Sequence, residues 1–171
     1  LITAWGRTYD IPYIILRPTN NYGVGQYTEK LIPKSIKYLG LDRQIPLHNG
    51  GTPTRNWLHA QDTANAVITI IDNKVKNEIY NICGGFEQTN LDTVDKIITL
   101  YYGEDESLKT TFPHYDEDKN QFLDLDIERK GQDVRYALND NKLRSLGWKP
   151  VMSFDEELPR IVKYYKENFI W

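Results

Sequence analysis

The chain has 171 residues, of which 40% are hydrophobic and 26% charged, a globular balance long enough for one domain with its own core. A formal net charge of −3 excludes nucleic acid or an anionic membrane as a partner held by bulk electrostatics, and leaves a local basic pocket as the route to an anionic ligand. The single cysteine, Cys83, excludes an internal disulfide and fits a reducing, cytoplasmic setting; no apolar run is long enough to cross a bilayer, and no signal peptide is visible.

Leu1, Trp5 and Tyr9 recur at helical spacing and predict a helix tail over 1–9, ending at Asp10. No capping residue precedes it, and the only methionine is Met152. The chain is therefore expected to start inside a helix and to be the C-terminal part of a longer protein. Residues 11–16 (IPYIIL) are apolar without alternation, which predicts a strand covered on both faces, as in a parallel sheet. The loop TNNYGVGQYTEKLIP follows at 19–33, and residues 31–39 then show helical spacing, with Pro33 tolerated in the first turn.

Residues 45–48 and 54–59 read as two short strands about an Asn49-Gly50 turn, with Pro46 at an edge. Residues 61–71 predict a helix with Ala64, Val67, Ile68 and Ile71 inward and Asp62 near its positive end. Residues 78–83 predict a strand closed by Gly84-Gly85, and Asn90 or Asp92 is expected to cap a helix running to about Tyr101. An acidic loop spans 103–121. Short strands at 122–127 and 134–138 flank ERKGQD, and a short helix from Asp140 to Leu146 ends at Gly147. Ser153 or Asp155 caps a last helix reaching about Phe169, with Leu158, Ile161, Val162 and Tyr165 buried. This order predicts an α/β chain: residues 1–40 and 60–85 feed a parallel sheet, while 41–59 and 86–171 make mainly a smaller mixed lobe.

The loop at 19–33 follows a strand's carboxyl end, where ligands sit in open parallel sheets. Asn20 and Asn21 donate and accept, which suits a hydroxyl-rich or carboxamide ligand, and Gly23 and Gly25 allow close backbone approach. A stiff turn without a ligand fits the same residues equally well. Lys30, Arg55 and Arg129 sit in or beside turn segments; together they would grip a diphosphate, and singly each is a solvated charge. Asn90 reads first as a helix cap, His48 as a turn residue or a ring over a ligand base, and Cys83 as a small buried apolar group. No metal-ligand spacing, G-x-S-x-G elbow or phosphate-binding glycine loop is present. Tyr115 and Lys119 match Tyr-x-x-x-Lys, but three intervening carboxylates would raise the phenol's pKa instead of lowering it, so the match is set aside.

RPTNNYGVGQYTEKLIPKSI, IPLHNGGTPTRNWLHAQDTANAV, EIYNICGGFEQTNLDTV and ERKGQDVRYALNDNKLRSLGWKP, in that order, resemble the C-terminal half of the dTDP-glucose 4,6-dehydratases. These are NAD-dependent enzymes of the extended short-chain dehydrogenase/reductase superfamily. The resemblance covers the chain apart from the acidic loop, and looser similarity extends to UDP-sugar dehydratases, epimerases and decarboxylases. It implies the C-terminal part of a Rossmann-like sheet with a substrate-binding lobe, and a nucleotide-diphosphate sugar as ligand. It also implies roles: Asn20 at the sugar nucleotide, Asn21 against the nicotinamide, Lys30 and Leu31 towards the diphosphate and base, Pro46 and His48 flanking the base, Arg55 and Arg129 on the diphosphate, and Asn90 and Gln132 completing the pocket. Where the family has tyrosine and histidine this chain has His48 and Gln132, which leaves thymine against uracil undecided. The catalytic Tyr-x-x-x-Lys and most NAD contacts belong to the family's N-terminal half, so the resemblance implies an inactive fragment. Family members are often dimers, but through helices largely outside this half, so the oligomeric state stays open. A non-catalytic sugar-nucleotide binding module is the alternative of another class.

Overall fold

The computed structural model describes residues 1–103 and 119–168. In chain order its elements are α1 (Ile2–Tyr9), β1 (Ile14–Pro18), β2 (Asn20–Tyr22), α2 (Leu31–Gly40), β3 (Ile45–Pro46), a 3-10 turn (His48–Gly51), β4 (Thr54–His59) and α3 (Ala60–Asp72). There follow β5 (Glu78–Ile82), β6 (Phe86–Thr89), α4 (Asn90–Tyr102), β7 (Leu123–Asp124), β8 (Arg135–Tyr136), α5 (Asn141–Arg144) and α6 (Phe154–Glu167). The backbone divides into two compact units. One comprises Leu1–Asn21, Asn56–Phe86 and Tyr136–Met152; the other Tyr22–Arg55, Glu87–Arg135 and Ser153–Trp171.

In the first unit β1 lies parallel to β5, from Ile14 opposite Glu78 to Pro18 opposite Ile82. Such a pair needs a long crossover between its strands, and some sixty residues separate them here. Ile14 and Leu16 pack on a core of Leu58, Ala66, Ile70, Tyr80, Ile82, Leu143 and Trp148. The strand is less enclosed than its apolar run predicts: it starts at Ile14, Ile11 is exposed, and Arg17 faces solvent.

Helix α3 departs from the expected inward face. Its buried residues are Asp62, Ala66 and Ile70, whereas Ala64, Ile68 and Ile71 are exposed and Val67 is half-buried. The cause is polar. The Asp62 carboxylate is 1% exposed and accepts the backbone N–H groups of Val151 (3.0 Å) and Met152 (3.1 Å). The Asp62 carbonyl also accepts from Trp148 Nε1 at 3.1 Å. A buried carboxylate that accepts from two backbone N–H groups outweighs the apolar stripe in choosing the inner face. Gly84 is required beside this core, because a Cβ there would collide with the carbonyl oxygen of Trp57.

In the second unit α2, α4 and α6 pack pairwise, burying Ile32, Ile36, Val94, Ile97, Ile98, Leu158, Ile161 and Val162. Pro33 lies in the first turn of α2, and the predicted stripe of α6 is buried, joined by Phe154. The cap of α4 is Thr89, not Asn90 or Asp92: Thr89 Oγ1 accepts from Asp92 N (3.0 Å) and donates to Asp92 Oδ2 (2.6 Å). Ser153 occupies the cap position of α6 without a side-chain cap bond.

The expected hairpin across Asn49-Gly50 does not form. β3 pairs in parallel with β7, and β4 joins a separate sheet of order β2-β4-β6, with β8 also on β4. Asn49 and Gly50 do turn with positive φ (53° and 61°), but the residues before the turn take their backbone partners elsewhere. Leu47 N donates to Asp124 O and Asn49 N to Ile127 O, at 2.9 and 2.7 Å. The strands expected at 122–127 and 134–138 shrink to two residues each. Most of the 103–121 loop, with Tyr115, and the end of the last helix at Phe169 lie outside the described residues.

Candidate functional site

Within the second unit, loop, helix and turn segments far apart in sequence line one cleft of about 160 Å³. Five residues singled out from the sequence meet there: Leu31 at the start of α2, Pro46 in β3, His48 at the start of the 3-10 turn, Asn90 at the start of α4, and Gln132. Glu29, Lys34 and Leu47 complete the wall. The lining combines an apolar strip, an imidazole, two amides and one charge of each sign, which suits a ligand with a flat apolar part and a polar chain.

The Asn49 side chain holds two segments of this unit together. Its Nδ2 donates to Arg129 O (3.2 Å) and to Gln132 Oε1 (3.1 Å), and its Oδ1 accepts from Arg129 N (2.8 Å). Asn49 tolerates the left-handed backbone of the turn, which aims its short amide sideways at residues 129–132. Arg55 extends the same polar group. Its Nη1 donates to Thr54 O (2.9 Å) and Asp133 O (3.0 Å). Burial, the largest cause, lowers its pKa; Asp133 opposes the shift, and the like charge of Arg129 adds to it. Two guanidinium groups that feel each other's charge are a favourable place for an anion.

Lys30 and the two loop asparagines are not among the residues lining this cleft. Lys30 is exposed and pairs with Glu29 at 3.1 Å; it is Lys34, one helical turn further on, that lines the wall. None of Lys30, Arg55 and Arg129 lines the cleft wall, so the expected convergence of the three does not occur there; only Arg55 and Arg129 feel each other's charge. Asn20 and Asn21 belong to the first unit. Asn20 Oδ1 is buried with no protein partner, an orphaned acceptor of the kind a bound ligand satisfies. The Asn21 amide is engaged internally: its Nδ2 donates to Thr19 O (3.1 Å) and its Oδ1 accepts from Thr63 Oγ1 (2.6 Å).

Sequence reasoning missed Glu29, Lys34, Leu47 and Asn49. Lys34 was legible in principle, since it shares a helix face with Leu31 at i+3. The reach of Asn49 across 80 residues was not. Among the described residues no three His, Cys, Asp or Glu side chains are grouped to hold a metal. No described helix is long and apolar enough to cross a membrane. The chain offers no glycine-rich cradle for a dinucleotide phosphate, and Asn21 is largely committed, so these residues by themselves do not fit NAD.

Comparison with known proteins bears on this site. Residues 1–83 match the family model "NAD dependent epimerase/dehydratase family". The chain is 36% identical over 169 residues to a dTDP-glucose 4,6-dehydratase of Haemophilus influenzae, covering 98% of this chain and 49% of that protein. Among solved structures it is similar to DesIV, a dTDP-glucose 4,6-dehydratase of Streptomyces venezuelae with NAD and TYD bound. There the identity is 34%, the TM-score 0.80, and the coverage 97% of this chain and 47% of that one. A dTDP-glucose 4,6-dehydratase of Bacillus anthracis in complex with NAD gives 32% identity and a TM-score of 0.78, covering 98% and 48%. The chain thus spans about half the length of the relatives it matches. Its first 83 residues match the model of the NAD-dependent epimerase/dehydratase family, and over nearly its whole length the chain is similar to a dTDP-glucose 4,6-dehydratase.

Proposed function

We propose that this chain is the substrate-binding part of an NAD-dependent nucleotide-sugar dehydratase that converts dTDP-glucose to dTDP-4-keto-6-deoxyglucose and water. The carrying observation is the cleft itself: amides, an imidazole and apolar side chains drawn from positions 31 to 132 face one space, and the clamp on its wall leads to Arg129 and Arg55. In this reading Pro46 and His48 flank the base, Leu31 packs beside it, and Asn90 and Gln132 bond the polar chain of the ligand. Arg55 and Arg129 neutralise the diphosphate, and Lys30 contributes long-range charge. Asn20, with its orphaned acceptor, takes a hydroxyl of the sugar. Asn21 orders the strand end next to it through Thr63, with the nicotinamide side as its assigned neighbour.

NAD, present in the solved relatives, supplies the hydride chemistry in this reading, and it is held mainly by residues outside this chain. The residues here bind and orient the substrate; none is assigned an acid–base role, and these 171 residues alone are inactive. A cytoplasmic setting accords with the one buried thiol, Cys83. The test uses the full-length protein. Titration with dTDP-glucose and UDP-glucose separates the nucleotides, and only a dehydratase yields the 4-keto-6-deoxy product. Arg55→Ala is expected to weaken dTDP-glucose binding by about 1.5–3 kcal/mol, the scale of a hydrogen bond to a charged group. Unchanged affinity would remove the diphosphate role.

A further inference from the structure

We propose that Asn49 is a positioning residue that fixes Gln132 as a hydrogen-bond donor to the ligand; this deepens, and rests on, the nucleotide-sugar reading above. The polarity of the Asn49 amide is forced by backbone. The N–H of Arg129 can only donate, so the atom 2.8 Å from it must be the Asn49 oxygen. The carbonyl of Arg129 can only accept, so the atom 3.2 Å from it must be Nδ2. The second Nδ2 hydrogen then faces Gln132 at 3.1 Å and demands the glutamine's oxygen there.

With Oε1 turned to Asn49, the group that Gln132 offers to the cleft is Nε2, with two hydrogens and nothing to accept with. The ligand atom beside it is therefore an acceptor, such as a diphosphate oxygen. An amide does not titrate near neutrality, so this donor is unaffected by pH in the range where an imidazole would switch. Asn49 suits the task because it takes the left-handed turn (φ 53°) with little strain and has an amide short enough to reach both partners.

The experiment measures dTDP, UDP and dTDP-glucose affinity, KM, kcat and Tm in the full-length protein. Gln132→Met keeps the side chain's length without donor or charge and is expected to weaken dTDP binding about tenfold with Tm nearly unchanged. Gln132→Glu still accepts from Asn49 but faces the ligand with an acceptor, and is expected to bind at least as weakly as Gln132→Met. Asn49→Asp keeps the bond from Arg129 N and loses both donors. Its KM should rise several-fold at constant kcat, with no further rise when it is combined with Gln132→Met. Fully additive losses would make Asn49 a purely structural residue and overturn the proposal. Full affinity in Gln132→Met, with wild type binding dTDP, would overturn the donor assignment alone. A wild-type protein that binds neither dTDP nor UDP would overturn the nucleotide-sugar reading, and this inference with it.

Discussion

Tyr102 shows how far a single side chain can couple this fold to its solvent. The ring is 4% exposed at the end of α4, against Tyr101 and Phe122. Burial first, then the charges of Tyr101 and Asp42, push its phenol up to about 12. The unfolded chain releases that proton near pH 10, as a free tyrosine does. The folded state's preference for the neutral phenol is therefore fully present below about pH 10 and is lost as pH rises through about 12. Tyr102→Phe is expected to flatten the alkaline fall of the urea midpoint across that window, while Tyr101, also raised by burial, keeps a residual slope. An unaltered pH profile in the variant would show that Tyr102 does not carry the linkage. At this scale the sequence supplied residue types and their turn chemistry. It placed Leu31, Pro46, His48, Asn90 and Gln132 as candidates, but it could not distinguish Lys30 from Lys34, because which lysine lines a wall depends on the pitch of a helix against distant segments.

Elements are where expectation and structure part most usefully. Periodicity found α2, α3, α4 and α6 within a few residues of their ends, because apolar recurrence at 3.6 residues is a local property. It chose the wrong face of α3, because the deciding interaction joins Asp62 to backbone N–H groups at 151 and 152. Asp62→Ala should therefore cost about 2 kcal/mol in urea unfolding, since two part-buried backbone donors lose a charged acceptor. Asp62→Asn, which retains one acceptor oxygen, should cost less. If both variants unfold at the wild-type midpoint, the anchoring role of this carboxylate is wrong. The failed hairpin has a similar cause. Asn49-Gly50 is a genuine left-handed turn, yet β3 finds a parallel partner in β7 and β4 joins another sheet, and a turn's dihedrals do not choose those partners.

For the molecule as a whole, the first unit leaves much apolar surface open to solvent. Leu1, Ile2, Trp5, Gly6, Ile11 and Tyr13 line an apolar groove of about 290 Å³, and Ile68 and Ile71 on α3 are 55% and 61% exposed. Apolar surface of this extent favours self-association. The chain is expected to show concentration-dependent association by light scattering after size exclusion. The double substitution Ile68→Ser and Ile71→Ser should reduce it, with little effect on the unfolding midpoint because both residues are already exposed. Association unchanged by the pair would assign the sticky surface elsewhere.

The order of helices and strands, the α/β class, the left-handed Asn-Gly turn and most of the cleft's chemistry follow from the sequence alone. Each depends on neighbours a few residues apart, or on side-chain types that a motif preserves. Only the tertiary structure decided that α3 buries its carboxylate face, that β3 lies beside β7, and that Asn49 bonds Arg129 and Gln132 some 80 residues away. Those choices depend on which buried donors and acceptors find partners across the fold, a condition set by every segment at once and written in no single stretch of the chain.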